Sequence, residues 1–344
     1  MSASEPEVQT EVVRVTPEAP EPDVIERAAA VLRRGGLVAF PTETVYGLGA
    51  DALNPQAVRR IFAVKGRPAD NPLIIHVAGT EQLRNVAREV PESARVLAEH
   101  FWPGPLTLVL PRHERVPLET TGGLETVAVR MPDSAIALAL IRALGHPIAA
   151  PSANLSGRPS PTAAEHVLED LQGRIELILD GGPTRIGVES TVLDLTTSPP
   201  TILRPGGVSP EQLRPFLGDV RLGAEARVAR RSPGTRYRHY RPRAEVVLIE
   251  RWEEEKHRPL LERLGARAQR IGYVGRDRGV SFGKATVHLV ELSPDPQEYA
   301  RRLFAIFREL DQQGVEVIVV EGVEEEGLGI AVMDRLRRAA SRIV

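Results

Sequence analysis

The sequence predicts an α/β protein in two parts: a mixed-sheet domain over residues 1–220 and a small parallel α/β domain over residues 244–344, joined by a linker at 221–243. Three observations carry this reading. Through residue 220, short apolar strands alternate irregularly with amphipathic helices, a pattern that a mixed sheet accommodates. Beyond residue 244, the runs EVVLIE, RIGYVG, VHLVEL and VEVIVVEGV are separated by helical stretches at 253–264, 296–313 and 329–341. That βα alternation belongs to a parallel sheet. Between the two parts, Ser232-Pro-Gly-Thr-Arg-Tyr-Arg-His-Tyr-Arg-Pro242 has no apolar periodicity and is dense in Pro, Gly, Arg and aromatics, as linkers are. A chain of 344 residues also exceeds one typical core.

The elements follow in order. Residues 1–22 are rich in Glu and Pro and read as a tail with one edge strand, VVRV. Asp23 is placed to cap a helix running to Arg34, and Gly35-Gly36 stops it. LVAF is a buried strand bounded by Pro41, and Pro41-Thr-Glu-Thr-Val-Tyr-Gly-Leu-Gly49 reads as a loop. Asn54-Pro55 is an N-cap followed by proline at the first helical position, so a helix runs from there to Gly66. Pro68 and Pro72 bracket a turn before the strand LIIHV, and short helices begin at Thr80 and Pro91. Strands are expected at 106–110 and 127–131, a helix from Ser134 to Leu144, and a strand at PIAAPSAN (147–154) that runs into a polar loop. Thr162 is read as the cap of the helix AAEHVLEDL. The strands ELILDGG, 190–195 and 201–207 follow, and Ser209-Pro210 starts the last helix of this part.

Composition removes several chemistries. With no cysteine there is no disulfide framework, no thiolate nucleophile and no Cys-based zinc site. A net charge of −2 gives no global attraction to nucleic acid or membrane. The N-terminus has neither a basic leader nor an apolar core, and no apolar run approaches a membrane span, so the expected location is the cytoplasm. Of 44 basic residues, only Lys65, Lys256 and Lys284 are lysines. Lys65, the only lysine before residue 256, reads either as a place where a compact ammonium is wanted rather than a planar guanidinium, or as chance at a helix end.

Gly47-Leu-Gly-Ala-Asp-Ala52 matches the dinucleotide fingerprint GxGxxA, but in the wrong setting. That motif needs a strand feeding directly into glycines that open a helix. Here Pro41-Thr-Glu-Thr-Val-Tyr46 intervenes and the helix starts at Asn54. Neither a GxxxxGK[ST] phosphate loop, nor HExxH, nor a GxSxG elbow is present. What remains are small hydroxyls, amides and cations at apparent strand ends, where ligands gather in open α/β sheets: Thr42, Thr44, Lys65, Arg67, Ser152, Asn154, Ser190 and Arg204. Singly, such Ser, Thr and Asn residues satisfy turns and caps. His76, inside an apolar strand, reads first as a core histidine. Arg130, inward in VAVRM, needs a carboxylate partner, either from the protein or from a ligand.

PTETVYGLG at 41–49, Lys65-Gly-Arg67-Pro and Ser152-Ala-Asn154 together resemble the threonylcarbamoyl-AMP synthase family, with its YrdC-like domain. The linker SPGTRYRHYRP followed by a small α/β domain is similar to the longer two-domain form, with Thr235 standing where the pattern has Met. The resemblance implies a YrdC-like twisted mixed sheet with a concave groove, and a small Rossmann-like C-terminal domain. It implies synthesis of L-threonylcarbamoyladenylate and pyrophosphate from L-threonine, bicarbonate or CO2, and ATP with Mg2+. The product then passes to the machinery that makes N6-threonylcarbamoyladenosine in tRNA.

Carried over residue by residue, the resemblance implies that Lys65 and Arg67 are catalytic cations on the triphosphate. Thr126, Ser152, Asn154, Ser160, Arg204 and Tyr240 join them around ATP, with magnesium near Ser152 and Asn154 carried by the nucleotide. Thr42, His76, Arg130 and Ser190 are implied for L-threonine, Arg130 meeting its carboxylate. The linker, Tyr240 especially, is expected to act as a lid that excludes water. Two other readings stand beside this one. One is a module that binds tRNA or double-stranded RNA through phosphate contacts, against which the near-neutral charge and the lack of an aromatic–basic motif weigh. The other is a nucleotidyltransferase that uses a different amine.

Overall fold

The computed structural model describes residues 8–223, 239–279, 281–292 and 295–344. The chain divides into two compact units, residues 1–156 with 160–237, and residues 157–159 with 238–344. Most of the expected linker lies outside the described residues.

The first unit is built on a mixed sheet. Its strands are β1 (Glu11–Arg14), β2 (Val38–Pro41), β3 (Tyr46–Asp51), β4 (Ile74–His76), β5 (Leu106–Pro111), β6 (Thr126–Arg130), β7 (Ile148–Ala149), β8 (Leu177–Asp180), β9 (Thr191–Asp194), β10 (Thr201–Arg204) and β11 (Arg221–Leu222). Among the described residues these run in the order β1-β8-β2-β3-β7-β4-β6-β5-β9-β10-β11. Parallel pairs such as β4 with β6 and β5 with β9 alternate with antiparallel ones such as β2 with β3 and β5 with β6.

Both faces of this sheet are covered, as the alternation of side chains along β2 shows. Val38 and Phe40 face the apolar cluster of α1 (Pro22–Arg33) and α6 (Ala135–Leu144), with Leu32, Leu140 and Ile141. Leu37 and Ala39 face the opposite cluster, which holds Val58 and Ile61 of α2 (Pro55–Lys65). The Asn54 carboxamide accepts from the Gln56 and Ala57 amides, and Gly66 closes α2 in the left-handed conformation at φ 60°, as the sequence predicts.

Three local expectations change. Residues 46–49 are not a loop but part of β3, which pairs antiparallel with β2 from Pro41↔Tyr46 to Val38↔Gly49. The glycines that suggested a loop serve close packing: a Cβ on Gly49 would sit 2.7 Å from Phe40 Cε1 and 2.9 Å from Ile148 Cγ2. Helix α1 starts at Pro22 with Glu21 at its N-cap, and Asp23 lies in the first turn, where a carboxylate complements the helix dipole. The cap of α7 (Ala164–Leu171) is Ala163, while the Thr162 amide donates to His166 Nδ1 at 3.2 Å.

In the second unit, β12 (Glu245–Ile249), β13 (Arg270–Gly275), β14 (Thr286–Glu291), β15 (Val317–Glu321) and β16 (Arg342–Ile343) form a sheet in the order β14-β13-β15-β12-β16. All its pairs are parallel. Helices Glu254–Arg267, Pro296–Gln312 and Gly329–Ala339 connect its strands, matching the three stretches expected from sequence. Gly157–Pro159 belongs to this unit: Arg241 N donates to the Gly157 carbonyl at 2.8 Å, and the buried Arg308 donates to the Pro159 carbonyl at 2.6 Å. No described helix is long and apolar enough to cross a membrane.

Candidate active site

Folding β2 back on β3 places Thr42–Val45 at a hairpin end, and the sheet order brings the carboxyl ends of β4 and β6 together. His76 and Arg130 are register partners across β4 and β6. All of Thr42, Glu43, Thr44, His76 and Arg130 are buried.

A directed chain of hydrogen bonds links Arg130, Thr44 and Thr42. Arg130 Nη1 donates to Thr44 Oγ1 at 3.0 Å. An arginine only donates, so the Thr44 proton is left for Thr42 Oγ1, at 2.8 Å, and Thr42 in turn donates to the Val45 carbonyl at 2.7 Å. Arg130 Nε donates to the Gly104 carbonyl at 3.1 Å. The guanidinium also meets a protein carboxylate: Nη2 lies 2.6 Å from Glu43 Oε1. Burial, with the Arg130 charge second, holds His76 down to about 3, so its ring is neutral.

A second cluster adjoins this one. The residue after Gly104, Pro105, offers its carbonyl to the Thr191 amide at 2.9 Å. Ser190 is fully buried, with its hydroxyl 2.8 Å from Thr107 Oγ1. Arg204, from the end of β10, donates through Nε and Nη2 to the Ser190 carbonyl and through Nη2 to its hydroxyl. Glu189, next in the chain, accepts from Ser160 Oγ at 2.6 Å.

Lys65 is the last residue of α2 and is 2% exposed. Its ammonium donates to the carbonyls of both Ser152 and Asn154, and its own carbonyl accepts from the Ser156 amide at 2.8 Å. One compact cation thus gathers the polar loop after β7, a task that suits lysine's tetrahedral donors better than a planar fork. Gly47 of β3 bridges to Ser152, so the same hairpin supports this loop and the Thr42 turn. Arg67 donates to the Asn71 and Pro72 carbonyls at 3.2 and 2.9 Å.

The structure therefore brings together Thr42, His76 and Arg130, joins Ser190 to Arg204, joins Lys65 to Ser152 and Asn154, and seats Ser160 beside Glu189. Thr126 stands apart at the amino end of β6, roughly 13 Å from Arg130 at the strand rise per residue. Tyr240 lies in the second unit, buried against Phe304 with ring centroids 5.2 Å apart and Arg335 over its face. Sequence reasoning missed Glu43, Thr107 and Glu189. Glu43 was signalled by the need of a buried Arg130 for a carboxylate, and it lies between two threonines already singled out.

Known proteins share this architecture. A family model described as "Telomere recombination" matches residues 30–206, and one described as the C-terminal domain of threonylcarbamoyl-AMP synthase matches residues 208–341. The threonylcarbamoyl-AMP synthase of Pyrococcus abyssi is 54% identical over 325 residues, covering 92% of this chain and 94% of its own. That of Bacillus subtilis is 45% identical over 321 residues, 92% of each. The crystal structure of P. abyssi Sua5 complexed with L-threonine matches with a TM-score of 0.91 and 51% identity, over 97% of this chain and 99% of that one. With both parts of the chain matched, and with relatives this similar along nearly their full length, the chain belongs to the threonylcarbamoyl-AMP synthase family.

Proposed function

We propose that this protein makes L-threonylcarbamoyladenylate and pyrophosphate from L-threonine, CO2 or bicarbonate, and ATP. The observation that carries this is the joint between Ser190, read for the amino acid, and Arg204, read for the nucleotide.

The chemistry needs no protein nucleophile. The neutral amine of threonine adds to CO2, forming an N–C bond and releasing a proton. A carbamate oxygen then attacks the α-phosphorus of ATP, and the bond to pyrophosphate breaks. Rate enhancement comes from positioning and from neutralising charge on the phosphates. In this reading Lys65 and Arg67 serve the triphosphate, with Ser152, Asn154, Ser160 and Arg204 around the nucleotide. Thr42, His76, Arg130 and Ser190 hold threonine. The neutral His76 adds no second cation beside Arg130.

Magnesium would arrive on the nucleotide and neutralise phosphate charge, with Ser152 and Asn154 as neutral oxygen donors. Among the described residues no group of three or more His, Cys, Asp or Glu gathers as a dedicated metal cage. We place the work in the cytoplasm, with the labile product passed to the enzyme that modifies tRNA. Pyrophosphate release measured with L-threonine, L-serine and L-alanine tests the reading. Threonine is expected to be preferred strongly, and equal rates with all three would assign a different amine.

A further inference from the structure

The buried carboxylate of Glu43 has a configuration that a simple structural ion pair does not explain. Its side chain is 1% exposed and that of Arg130 4%, and the two approach to 2.6 Å. Yet neither Glu43 oxygen accepts a hydrogen bond among the described residues, and Arg130 Nη2 donates none. The contact is one of charge, with the N–H bonds of Nη2 not aimed at the carboxylate.

We propose that Glu43 is the positioning residue for threonine, acting through Arg130. This rests on the reading that Arg130 meets the substrate's carboxylate. A guanidinium buried in a strand loses its hydration and stays inside only beside a counter-charge. Glu43 supplies that charge without using the Nη2 donors. Arg130 is then fixed on three sides: by the Gly104 carbonyl at Nε, by Thr44 at Nη1 and by Glu43 at Nη2. The outer edge of the fork keeps N–H groups for a planar two-oxygen acceptor.

Glu43 also anchors the surroundings. Its backbone carbonyl accepts from the Ile186 amide at 2.8 Å, and that of Thr44 accepts from the Gly187 amide at 3.1 Å. One residue therefore ties the Thr42 turn to the strand of Arg130 and to the segment leading into Ser190. Loss of its charge loosens the guanidinium at Nη2 while leaving the Lys65 contacts to Ser152 and Asn154 in place.

The test is steady-state kinetics of pyrophosphate release by the full chain. Glu43→Gln, which keeps the shape and removes the charge, is expected to raise the threonine KM about 10- to 100-fold, the scale of a misplaced binding group, with kcat and the ATP KM within about twofold of wild type. Glu43→Asp is expected to recover part of the loss. Adding Glu43→Gln to Arg130→Lys should cost at most about twofold beyond Arg130→Lys alone, since residues acting as a unit are not additive. An unchanged threonine KM in Glu43→Gln, or full additivity with Arg130→Lys, overturns the proposal. If Glu43→Gln does not fold, a folded Glu43→Ala with wild-type threonine KM overturns it equally. Arg130→Lys with a normal threonine KM instead overturns the underlying placement of threonine, whatever Glu43 does.

Discussion

Arg204 donates to the Ser190 carbonyl from two nitrogens, Nε at 3.2 Å and Nη2 at 2.9 Å. A residue read for the nucleotide thus rests directly on a residue read for the amino acid. In the proposed reading the two substrate halves of the site thus share this guanidinium contact, which a lysine cannot reproduce.

Arg204→Lys should accordingly weaken the use of both substrates, lowering kcat/KM for ATP and for threonine by about tenfold or more, as loss of a bidentate guanidinium contact does. Steady-state kinetics with each substrate varied in turn measures this. A change confined to ATP would detach Arg204 from the threonine half.

Lys65→Ala removes a buried ammonium that serves two carbonyls. Threonine-dependent pyrophosphate release is expected to fall about 10²- to 10³-fold, the cost of losing one preorganised charge-stabilising donor. Lys65→Arg should not restore it, because a bulkier planar fork does not reproduce the compact ammonium between the Ser152 and Asn154 carbonyls. Circular dichroism should show the fold retained. Near-normal turnover in Lys65→Ala would remove it from the phosphate site.

The third prediction concerns pH. His76 is held down to about 3, against 6.5 for an ordinary imidazole. Below 6.5 the unfolded chain takes up a proton there and the folded chain does not, so stability falls as pH drops through that window. At about pH 4.5 the loss amounts to about 2.7 kcal/mol, from about 1.36 kcal/mol per pH unit. His76→Gln should flatten the dependence of unfolding free energy on pH between 6.5 and 4.5 by that amount. An unaltered slope would show that the ring is protonated in the folded protein.

Much of this was legible in the sequence because local signals agreed with the fold. Asn54-Pro55 and Gly66 delimit a helix whatever surrounds them, and the βα alternation after residue 244 leaves little choice of architecture. The lone Lys65 was legible as a chemical exception. Gly47 and Gly49 misled, since a glycine needed for close approach to Phe40 looks like one needed for a turn. Glu43 stayed hidden for a related reason. Its environment is created by strands that meet only after folding, so an acidic residue between threonines looks solvated until Arg130 arrives beside it.

The short excursion of Gly157–Pro159 into the second unit bears on the order in which the protein is completed. Gly157–Pro159 lies between Asn154 and Ser160, and its last carbonyl is met by Arg308, almost 150 positions later in the chain. During synthesis that carbonyl lacks its Arg308 donor until residue 308 has emerged, so the stretch between two residues read for the nucleotide gains this bond late. A nascent chain that stops at residue 220 already contains Lys65, Arg67 and Arg204, yet it lacks the arginine that secures the connection between Asn154 and Ser160. The connection between Asn154 and Ser160 gains its Arg308 contact only when the second unit has been made.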